Sequence, residues 1–349
     1  MRPIRTAVVG FGLAGSVFHA PAIAADPRYS LDVIVTSDPG RQEQARARYP
    51  GVRIVDRPEQ LLGAGPGPAH DIELVVIGTP PATHAPFAHA ALDGGLAVVV
   101  DKPFTVTSAQ GQALMDRARE LGLALATYQN RRWDGEFLTL KKLLAQGALG
   151  QVYRFESRLE RWSPDTLKPW KARATAETGG GLLYDLGTHL IDQALQLFGP
   201  VAEVYGELDA RRPQERTDDD VFLALRHRNG VRSHLWMNLS AAQPGPRYRV
   251  LGSQAAYTKT VGDGQEAQLL AGVLPGDPAY GVDPERHWGL LGRDGALLPV
   301  PTERGNFPAF YELMAEAIRN GGPLPVDPAD SVEALKIIEA VRAGRPLTA

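Results

Sequence analysis

Apolar runs of four to six residues alternate with stretches of helical character along the first third of the chain. Such alternation predicts strands joined by crossover helices, and therefore a parallel, doubly wound sheet of the α/β class. The predicted strands cover 4–9, 31–35, 72–77, 97–100 and 123–127. The predicted helices cover 16–25, 41–49, 86–92 and 108–121, and 63–68 is a loop by its Gly and Pro content.

Beyond Gly150 the pattern changes to longer strands without helices between them. Asn229 and Gly230, between two of these strands, are a strong hairpin signal. The pattern predicts a largely antiparallel open sheet, and therefore an N-terminal Rossmann domain at 1–127 followed by an α+β domain at 128–349. The strands cover 152–160, 201–208, 221–226, 231–239 and 248–252, closing helices cover 308–319 and 328–343, and the Gly- and Pro-rich segment 262–306 supports no assignment.

Composition limits the function classes. A chain of 349 residues with 44% hydrophobic residues can bury two cores. A net charge of -3 with dispersed Lys and Arg offers no basic surface for nucleic acid. The absence of cysteine excludes disulfides, a thiolate nucleophile and thiolate metal ligands. With no leader-like N-terminus and no apolar run of membrane-spanning length, we expect a cytoplasmic protein.

The segment directly behind the first strand, residues 10–15, reads GFGLAG. Gly10 allows a tight turn out of the strand, Gly12 lets the backbone approach a pyrophosphate, and Gly15 lets the following helix pack close to the sheet. Backbone N–H groups at the start of that helix favour an anion. An ordinary strand-to-helix turn is the alternative, but the position at the start of a β–α–β pattern favours nucleotide binding.

The end of the second strand bears on the choice of cofactor. Asp38 could bind the adenosine ribose hydroxyls and so favour NAD. Thr36, Ser37 and Arg41 could instead hold a 2'-phosphate if Asp38 turns away. The residues alone leave both alternatives open.

A lysine follows another strand, in the sequence VVVDKPF. Ligands of open parallel sheets bind at the carboxyl ends of the strands, where Asp101 and Lys102 are expected. A lysine at a loop start is often only a surface charge, which is the alternative here. Pro103 constrains the residue before it and allows a cis bond.

A third cluster, GGGLLYDLGTHLIDQALQLFG, predicts a helix over 182–198. Asp185 and His189 are spaced i and i+4, on one face, which Asp192 and Gln196 extend. A solvated polar stripe is the alternative, but no Lys, Arg or Glu occurs over 178–202, which favours a face that lines a cleft.

Oxidation of a secondary alcohol requires a base for the hydroxyl proton while hydride leaves carbon. A neutral histidine such as His189 can be that base, Asp185 can orient it, and Lys102 can stabilise the developing alkoxide. No GxSxG elbow or metal-ligand cluster offers other chemistry, so we expect no metal.

The chain resembles the Gfo/Idh/MocA oxidoreductases over nearly its whole length, because GFGLAG, GTPPATH at 78–84, VVVDKPF and GGGLLYDLGTH occur in the family's order. Within the family, FHAP at 18–21, YQNRRWDGEFLTLKKLL at 128–144 and GPRYRVLG at 245–252 resemble the bacterial NADP-dependent scyllo-inositol dehydrogenases. The resemblance implies hydride transfer between NADP, or NAD, and a cyclic polyol or sugar, with a homodimer or homotetramer formed through the open sheet. The alternatives are an aldose or ketosugar enzyme, redox-assisted glycoside cleavage, and a non-catalytic NADP sensor.

The resemblance implies a catalytic trio of Lys102, Asp185 and His189. One departure is Asp101, where the family usually has Glu, which puts its cofactor contact in doubt. We expect cofactor contacts from Gly10, Phe11, Gly12, Leu13, Gly15, Ser37, Asp38, Arg41, Thr79, Pro80, His84, Asp101, Lys102 and Asn130. We expect substrate contacts from Arg132, Trp133, Tyr153, Arg161, Trp162 and Tyr184, with Trp170 a further candidate.

Overall fold

The computed structural model describes residues 2–62, 71–165, 174–212 and 216–344, so the predicted loop at 63–68 and Trp170 lie outside the described residues. The chain divides into two compact units. The first unit contains Met1–Gln129, Glu266–Tyr280 and Pro308–Val332, and the second contains Asn130–Gln265, Gly281–Phe307 and Glu333–Ala349. The boundary expected after residue 127 lies two residues from Gln129, but the two later returns of the chain to the first unit were not expected.

Six parallel strands form the sheet of the first unit, in the order β3-β2-β1-β4-β5-β6. This is the strand order of a Rossmann fold, so the predicted doubly wound sheet is confirmed. The order reverses direction between β1 and β4, and ligands of such sheets bind at the carboxyl ends of the strands beside that point. The strands are β1 (Ile4–Val9), β2 (Tyr29–Val35), β3 (Arg53–Val55), β4 (Leu74–Ile77), β5 (Ala97–Asp101) and β6 (Leu125–Tyr128).

The helices end where local sequence dictates. In the helix Ser108–Leu121, Thr107 and Gln110 form a capping box, and Gly122 ends the helix in the left-handed region at φ 64°. The helices are α1 (Ala20–Ala25), α2 (Pro39–Arg48), α3 (Glu59–Leu62), α4 (His84–Asp93), α5 (Ser108–Leu121), α6 (Gly135–Ala145), α7 (Thr188–Phe198), α8 (Gln265–Leu270), α9 (Ala309–Asn320) and α10 (Pro328–Arg342). Short π-helical segments, Ala14–His19 and Leu183–Gly187, directly precede α1 and α7.

The late segments of the chain complete the core of the first unit. Phe310 and Tyr311 of α9 pack edge-on against Tyr128 and Tyr29, with ring centroids 4.8 and 5.6 Å apart. The Tyr29 hydroxyl donates to the Tyr311 carbonyl at 2.6 Å. Val332 joins the apolar cluster beneath the sheet. The Rossmann unit therefore depends on residues from three separate parts of the sequence.

The second unit is built on an eight-stranded sheet in the order β14-β13-β12-β11-β7-β10-β9-β8. Its neighbouring strands are antiparallel except β7 and β10, so the largely antiparallel prediction is confirmed. Gly230 turns the β9–β10 hairpin at φ +90°. The strands are β7 (Val152–Glu160), β8 (Val201–Asp209), β9 (Asp220–His227), β10 (Arg232–Asn238), β11 (Tyr248–Gly252), β12 (Ala256–Lys259), β13 (Gly289–Arg293) and β14 (Ala296–Val300).

One face of this sheet is covered by α6, α7 and α10, whose apolar residues share a core with Phe155, Leu235 and Val250 of the strands. The unassigned segment 262–306 contains α8, β13 and β14. β14 is exposed over most of its length and β13 has a single buried residue, so their sequence lacks a buried alternating pattern. Within the described part of the chain, no helix is both long and apolar enough to cross a membrane. The cytoplasmic location stays a prediction.

Candidate active site

The three glycines that follow β1 differ in the space around them, as expected for a dinucleotide-binding loop. Gly10 has φ +96°, and a Cβ there would lie 2.7 Å from the Gly78 carbonyl oxygen. A Cβ on Gly15 would collide with the Gly10 carbonyl, so the helix start packs against the strand end. At Gly12 a Cβ would meet only Arg41 Nη1, at 3.8 Å. Gly12 therefore leaves open the space through which a pyrophosphate would approach the backbone.

Asp38 caps α2 instead of standing free at the end of β2. Its Oδ1 accepts the backbone N–H of Arg41 at 2.9 Å, and its backbone is extended as an N-cap requires. The β2 strand ends at Val35, so Asp38 begins a helix three residues further on. Ser37 and Arg41 are exposed beside it, and the Arg41 guanidinium reaches the phosphate loop at Gly12. A cation on this surface suits a phosphate better than a bare ribose.

His84 fixes the loop that follows β4. Its ring is buried, with Nδ1 2.8 Å from the Pro103 carbonyl and Nε2 2.7 Å from the Thr79 carbonyl. The Thr79 hydroxyl contacts the Thr83 hydroxyl at 2.7 Å. Because both ring nitrogens face protein carbonyls, any effect of His84 on a cofactor passes through the Thr79 and Pro103 backbone.

Lys102 follows β5 and is partly exposed, and the peptide bond between Lys102 and Pro103 is cis. The backbone N–H of Lys102 donates to Asp101 Oδ1 at 2.8 Å. The shorter carboxylate found here in place of Glu therefore bonds to its own loop.

Phe11 lies in an apolar cluster with Ile34 and is 1% exposed, so only its backbone can face a cofactor. Pro80 and Leu13 are exposed beside these loops.

His19, from the FHAP motif, lies buried beneath the nucleotide loops of the first unit. Its Nδ1 is 2.7 Å from the Tyr311 hydroxyl, and its ring lies 4.4 Å from that of Tyr128. Burial lowers the pKa of His19 to about 4, although the charge of Asp101 acts in the opposite direction. The imidazole is therefore neutral at physiological pH.

The second unit supplies the other catalytic candidates. The predicted helix over 182–198 is present, but its first turn, Leu183–Gly187, is π-helical before α7 begins. Such π turns inside helices often occur at functional sites, because they change the direction of side chains. Asp185 lies in the π turn and is partly exposed, whereas His189 is 4% exposed in the first turn of α7. The helix is thus not a solvated amphipathic helix at this end.

Arg132 and Asp192 form a two-pronged ion pair, with Nε to Oδ2 at 2.9 Å and Nη2 to Oδ1 at 2.5 Å. Both side chains are largely buried, at 12% and 2% exposed. Gln193 holds the same loop by donating from Nε2 to the Arg131 carbonyl at 3.0 Å. The ion pair thus connects the loop 130–133 to α7. Two guanidinium nitrogens of Arg132, which was expected to bind substrate, donate to Asp192 instead.

A buried polar network behind this loop was not predicted. Arg247 donates to Glu136 at 3.1 Å, to Ser157 at 2.6 Å and to Gln193 at 2.9 Å. Burial, together with the charge of Glu136, raises the pKa of the neighbouring Asp134 well above its usual value. The GPRYRVLG motif contains Arg247, which is the one sequence signal that could have found this network.

The remaining candidates lie at several places in the second unit. Tyr153 and Trp162 are 52% and 60% exposed, and Arg161 is exposed beside Trp162. Tyr184 is 4% exposed, with its ring beneath a guanidinium group. Trp133 accepts hydrogen bonds at its carbonyl from the Asn306 backbone and the Gln265 side chain. Asn130 is buried at the start of the loop. The exposed rings of Tyr153 and Trp162 offer a face that a ligand can contact.

The first unit thus has the features of a dinucleotide site, and the second places an acid and a histidine on one helix. Over the described ranges, no cluster of three or more His, Asp or Glu is arranged to hold a metal ion.

Comparisons with known proteins agree with this geometry. A family profile described as an oxidoreductase family with an NAD-binding Rossmann fold matches residues 4–129, and one described as a GFO/IDH/MocA C-terminal domain matches 137–258. The chain is 38% identical to the uncharacterized oxidoreductase YdgJ of Escherichia coli K12, over 96% of this chain and 94% of that protein. It is 35% identical to the NADP-dependent scyllo-inositol 2-dehydrogenase IolW of Bacillus subtilis, over 97% of this chain and 92% of that protein. The crystal structure of the oxidoreductase YvaA from Bacillus subtilis is similar at a TM-score of 0.90 and 33% identity, over 99% of this chain and 98% of that one.

Proposed function

Since the chain belongs to the Gfo/Idh/MocA oxidoreductase family and is an NAD(P)-dependent dehydrogenase, we propose that it transfers hydride between NADP and a secondary alcohol of a cyclic polyol of the scyllo-inositol type. A related aldose or ketosugar is the alternative substrate. The 35% identity to an NADP-dependent scyllo-inositol 2-dehydrogenase supports the polyol.

The arrangement at the start of α2 is the observation that carries the preference for NADP. A carboxylate that selects NAD must face the ribose hydroxyls, whereas Asp38 accepts the Arg41 backbone N–H as a helix cap. The Arg41 side chain is exposed and lies beside Gly12. A guanidinium group in this place favours the extra phosphate of NADP by charge and hydrogen bonding.

The residues of the chain divide the chemistry among them. A nicotinamide cofactor, when bound, would supply the acceptor or the donor of the hydride. His189 takes the hydroxyl proton of the alcohol as general base, and the Asp185 carboxylate orients the imidazole and stabilises its charged form. Lys102 stabilises the developing alkoxide by charge and hydrogen bonding. In the reverse direction the protonated His189 returns the proton to the alkoxide.

The open face of the second sheet supports a proposal that copies of the chain associate there. Trp236 and Phe222 are directly paired across β10 and β9, with ring centroids 5.1 Å apart, and Arg158 stacks on Trp236 at 3.9 Å. Tyr205 of β8 is 59% exposed. Aromatic rings and arginine are enriched in protein interfaces. A Tyr205→Glu variant should shift the mass measured by light scattering toward the monomer, and an unchanged mass would exclude this face.

The test of the function is the initial rate of nicotinamide reduction, measured with NADP and NAD across inositols, aldoses and linear polyols. We expect turnover of an inositol chiefly with NADP. His189→Ala should lower kcat by about 10²–10⁴-fold while NADPH affinity stays nearly unchanged, because the imidazole acts on substrate. Equal loss of turnover and NADPH binding would make His189 structural. Tight NADPH binding without turnover of any substrate would favour a sensor.

Arg41→Ala provides the separate test of cofactor choice. Loss of one charge-assisted contact should weaken NADPH binding by about tenfold or more, and NADH binding much less. Arg46→Ala is the matched control, since this arginine lies later on α2 and its Nη2 faces Gln42 at 3.4 Å. An unchanged ratio of the two dissociation constants in Arg41→Ala would remove Arg41 from the phosphate site.

A further inference from the structure

The helix that carries Asp185 and His189 begins without a cap of its own. The residue at its N-cap position, Leu182, has no side chain that can accept a hydrogen bond. The first backbone N–H groups of any helix lack partners within the helix, and a buried start leaves them unsatisfied unless another group accepts them. The partner here comes from a distant part of the sequence.

Asp218, just before β9, accepts these N–H groups. Its Oδ2 accepts the Leu183 N–H at 2.6 Å, and its backbone carbonyl accepts the Leu182 N–H at 2.8 Å. The Asp218 side chain is 3% exposed. Gly181 has φ +100°, and a Cβ on it would collide with Asp218 Oδ1, so the glycine before the helix makes this approach possible. A charge-assisted bond from a buried carboxylate fixes the first turn more firmly than water would.

Arg342 from α10 holds the carboxylate in place. Its Nη2 lies 2.6 Å from Asp218 Oδ1 and 3.3 Å from the Gly180 carbonyl, so one guanidinium group contacts both the anchor and the segment that enters the helix. Its guanidinium carbon lies 5.0 Å from the centre of the Tyr184 ring, in the same first turn. The two carboxylate oxygens of Asp218 therefore have different partners, one on the helix and one on α10.

We propose that Asp218, held by Arg342, is a positioning residue that sets the placement of Asp185 and His189. Asp185 lies two residues beyond Leu183, within the π turn, so a shift of the anchored turn moves the acid directly. This inference rests on the proposed function, in which that pair acts on the hydroxyl proton. Displacement of a catalytic group by about 1 Å costs on the order of 100-fold in rate.

The test compares three variants of the full chain. Asp218→Asn removes the charge that pairs with Arg342. Asp218→Leu combined with Arg342→Met removes both charges, and it keeps the test usable if a lone buried arginine prevents folding, because buried ion pairs tolerate joint replacement by apolar residues. Asp219→Asn is the matched control, since this neighbouring carboxylate is equally buried but bonds to Arg211 and Arg212 instead of the helix.

Two readouts are needed. Hydrogen exchange measured on the peptide covering 181–189 should speed up in the two Asp218 variants and stay at the wild-type rate in the control. Turnover is measured with NADP and with scyllo-inositol that is either unlabelled or deuterated on its ring carbons. In the two Asp218 variants kcat should fall about 10–100-fold, and the primary isotope effect on kcat should rise toward its intrinsic value. NADPH affinity should be unchanged. A merely structural role would lower the active fraction and leave the isotope effect as in the wild type.

The proposal is overturned by unchanged exchange over 181–189, by an unchanged isotope effect, or by the same changes in the Asp219→Asn control. Failure of the proposed function gives a different result. In that case the wild type itself turns over none of the tested substrates, and the effect of Asp218 on catalysis falls with it. The exchange rates then decide whether Asp218 anchors the helix.

Discussion

Acid should destabilise the first unit through one buried histidine. His19 is fully buried against Tyr128 and Tyr311, and burial lowers its pKa from 6.5 to about 4. In the unfolded chain the same imidazole takes up a proton near pH 6.5. Between the two pKa values the unfolded state binds the proton and the folded state does not, so stability falls as the pH falls.

The magnitude follows from the gap of about 2.5 between the two pKa values. At about 1.36 kcal/mol for each unit of pKa, His19 accounts for about 3 kcal/mol of stability that is fully present above pH 7 and fully lost below pH 4. At pH 5 about 2 kcal/mol of it is already lost. This is a large fraction of the ~5–15 kcal/mol that stabilises an ordinary domain.

The assay uses the full chain in urea. Hydrogen exchange on peptides from β1, β4 and β5 reports the unfolding of the first unit separately from that of the second. His19→Asn removes the titrating group and keeps a polar atom near the Tyr311 hydroxyl. It should be less stable than the wild type at pH 7.5, because the ring is lost from a packed core, yet lose about 2 kcal/mol less between pH 7.5 and pH 5. His89→Asn, at a partly exposed histidine of α4, should keep the wild-type pH dependence. Parallel loss of stability in the wild type and in His19→Asn would refute the reasoning.

Three further predictions address the glycine loop, a buried acid and a buried ion pair. Gly12→Ala should weaken NADPH binding at least tenfold without lowering Tm, because the added Cβ points into the space for the pyrophosphate. Gly15→Ala should lower Tm, because its Cβ collides with the Gly10 carbonyl. Equal losses of Tm in thermal scans would contradict this prediction. Burial raises the pKa of Asp263 to about 6, so the stability of the second unit should fall by about 2 kcal/mol as the pH rises from 4 to 7. Asp263→Asn should flatten that fall in urea unfolding followed by tryptophan fluorescence. Arg132→Ala should cost about 3–5 kcal/mol because it removes one side of the buried Arg132–Asp192 ion pair. Arg132→Met combined with Asp192→Leu should recover most of that loss, and full stability of the single variant would show that the pair contributes little.

Local patterns predicted the regular elements well. β1, α5 and β7 have the predicted bounds, because strands and a capped helix leave strong signals in adjacent residues. The π-helical starts of the two functional helices were not predicted. A π turn differs from an α turn in its hydrogen bonds, which join residues i and i+5 instead of i and i+4. No residue type marks this difference, so the sequence does not predict it.

The candidate site was predictable only where its residues are close in sequence. The glycine loop and the spacing of Asp185 and His189 were visible in short motifs. The anchor Asp218 lies 35 residues from its partner Leu183, and Arg342 lies 124 residues from Asp218. Arg132 was expected to bind substrate because it follows the nucleotide domain and can donate to polyol hydroxyls, and that role stays a prediction. Its ion pair with the buried Asp192, which lies 60 residues further along the chain, was not predicted. Pairings of this kind depend on topology, which no single motif contains.

The division of the first unit over three chain segments has a consequence for synthesis on the ribosome. Residues up to Gln129 contain all six strands of the nucleotide sheet, but the aromatic rings that close its core follow at Phe310 and Tyr311, and the unit ends at Val332. At about 5–20 residues per second, the emerging sheet must wait about 10–40 s for them. During that interval Tyr29, Tyr128 and His19 lack their covering helix. The nascent Rossmann sheet thus exposes these aromatic rings until nearly the whole chain has emerged, and a fragment ending at Gln129 would lack the helix that covers them.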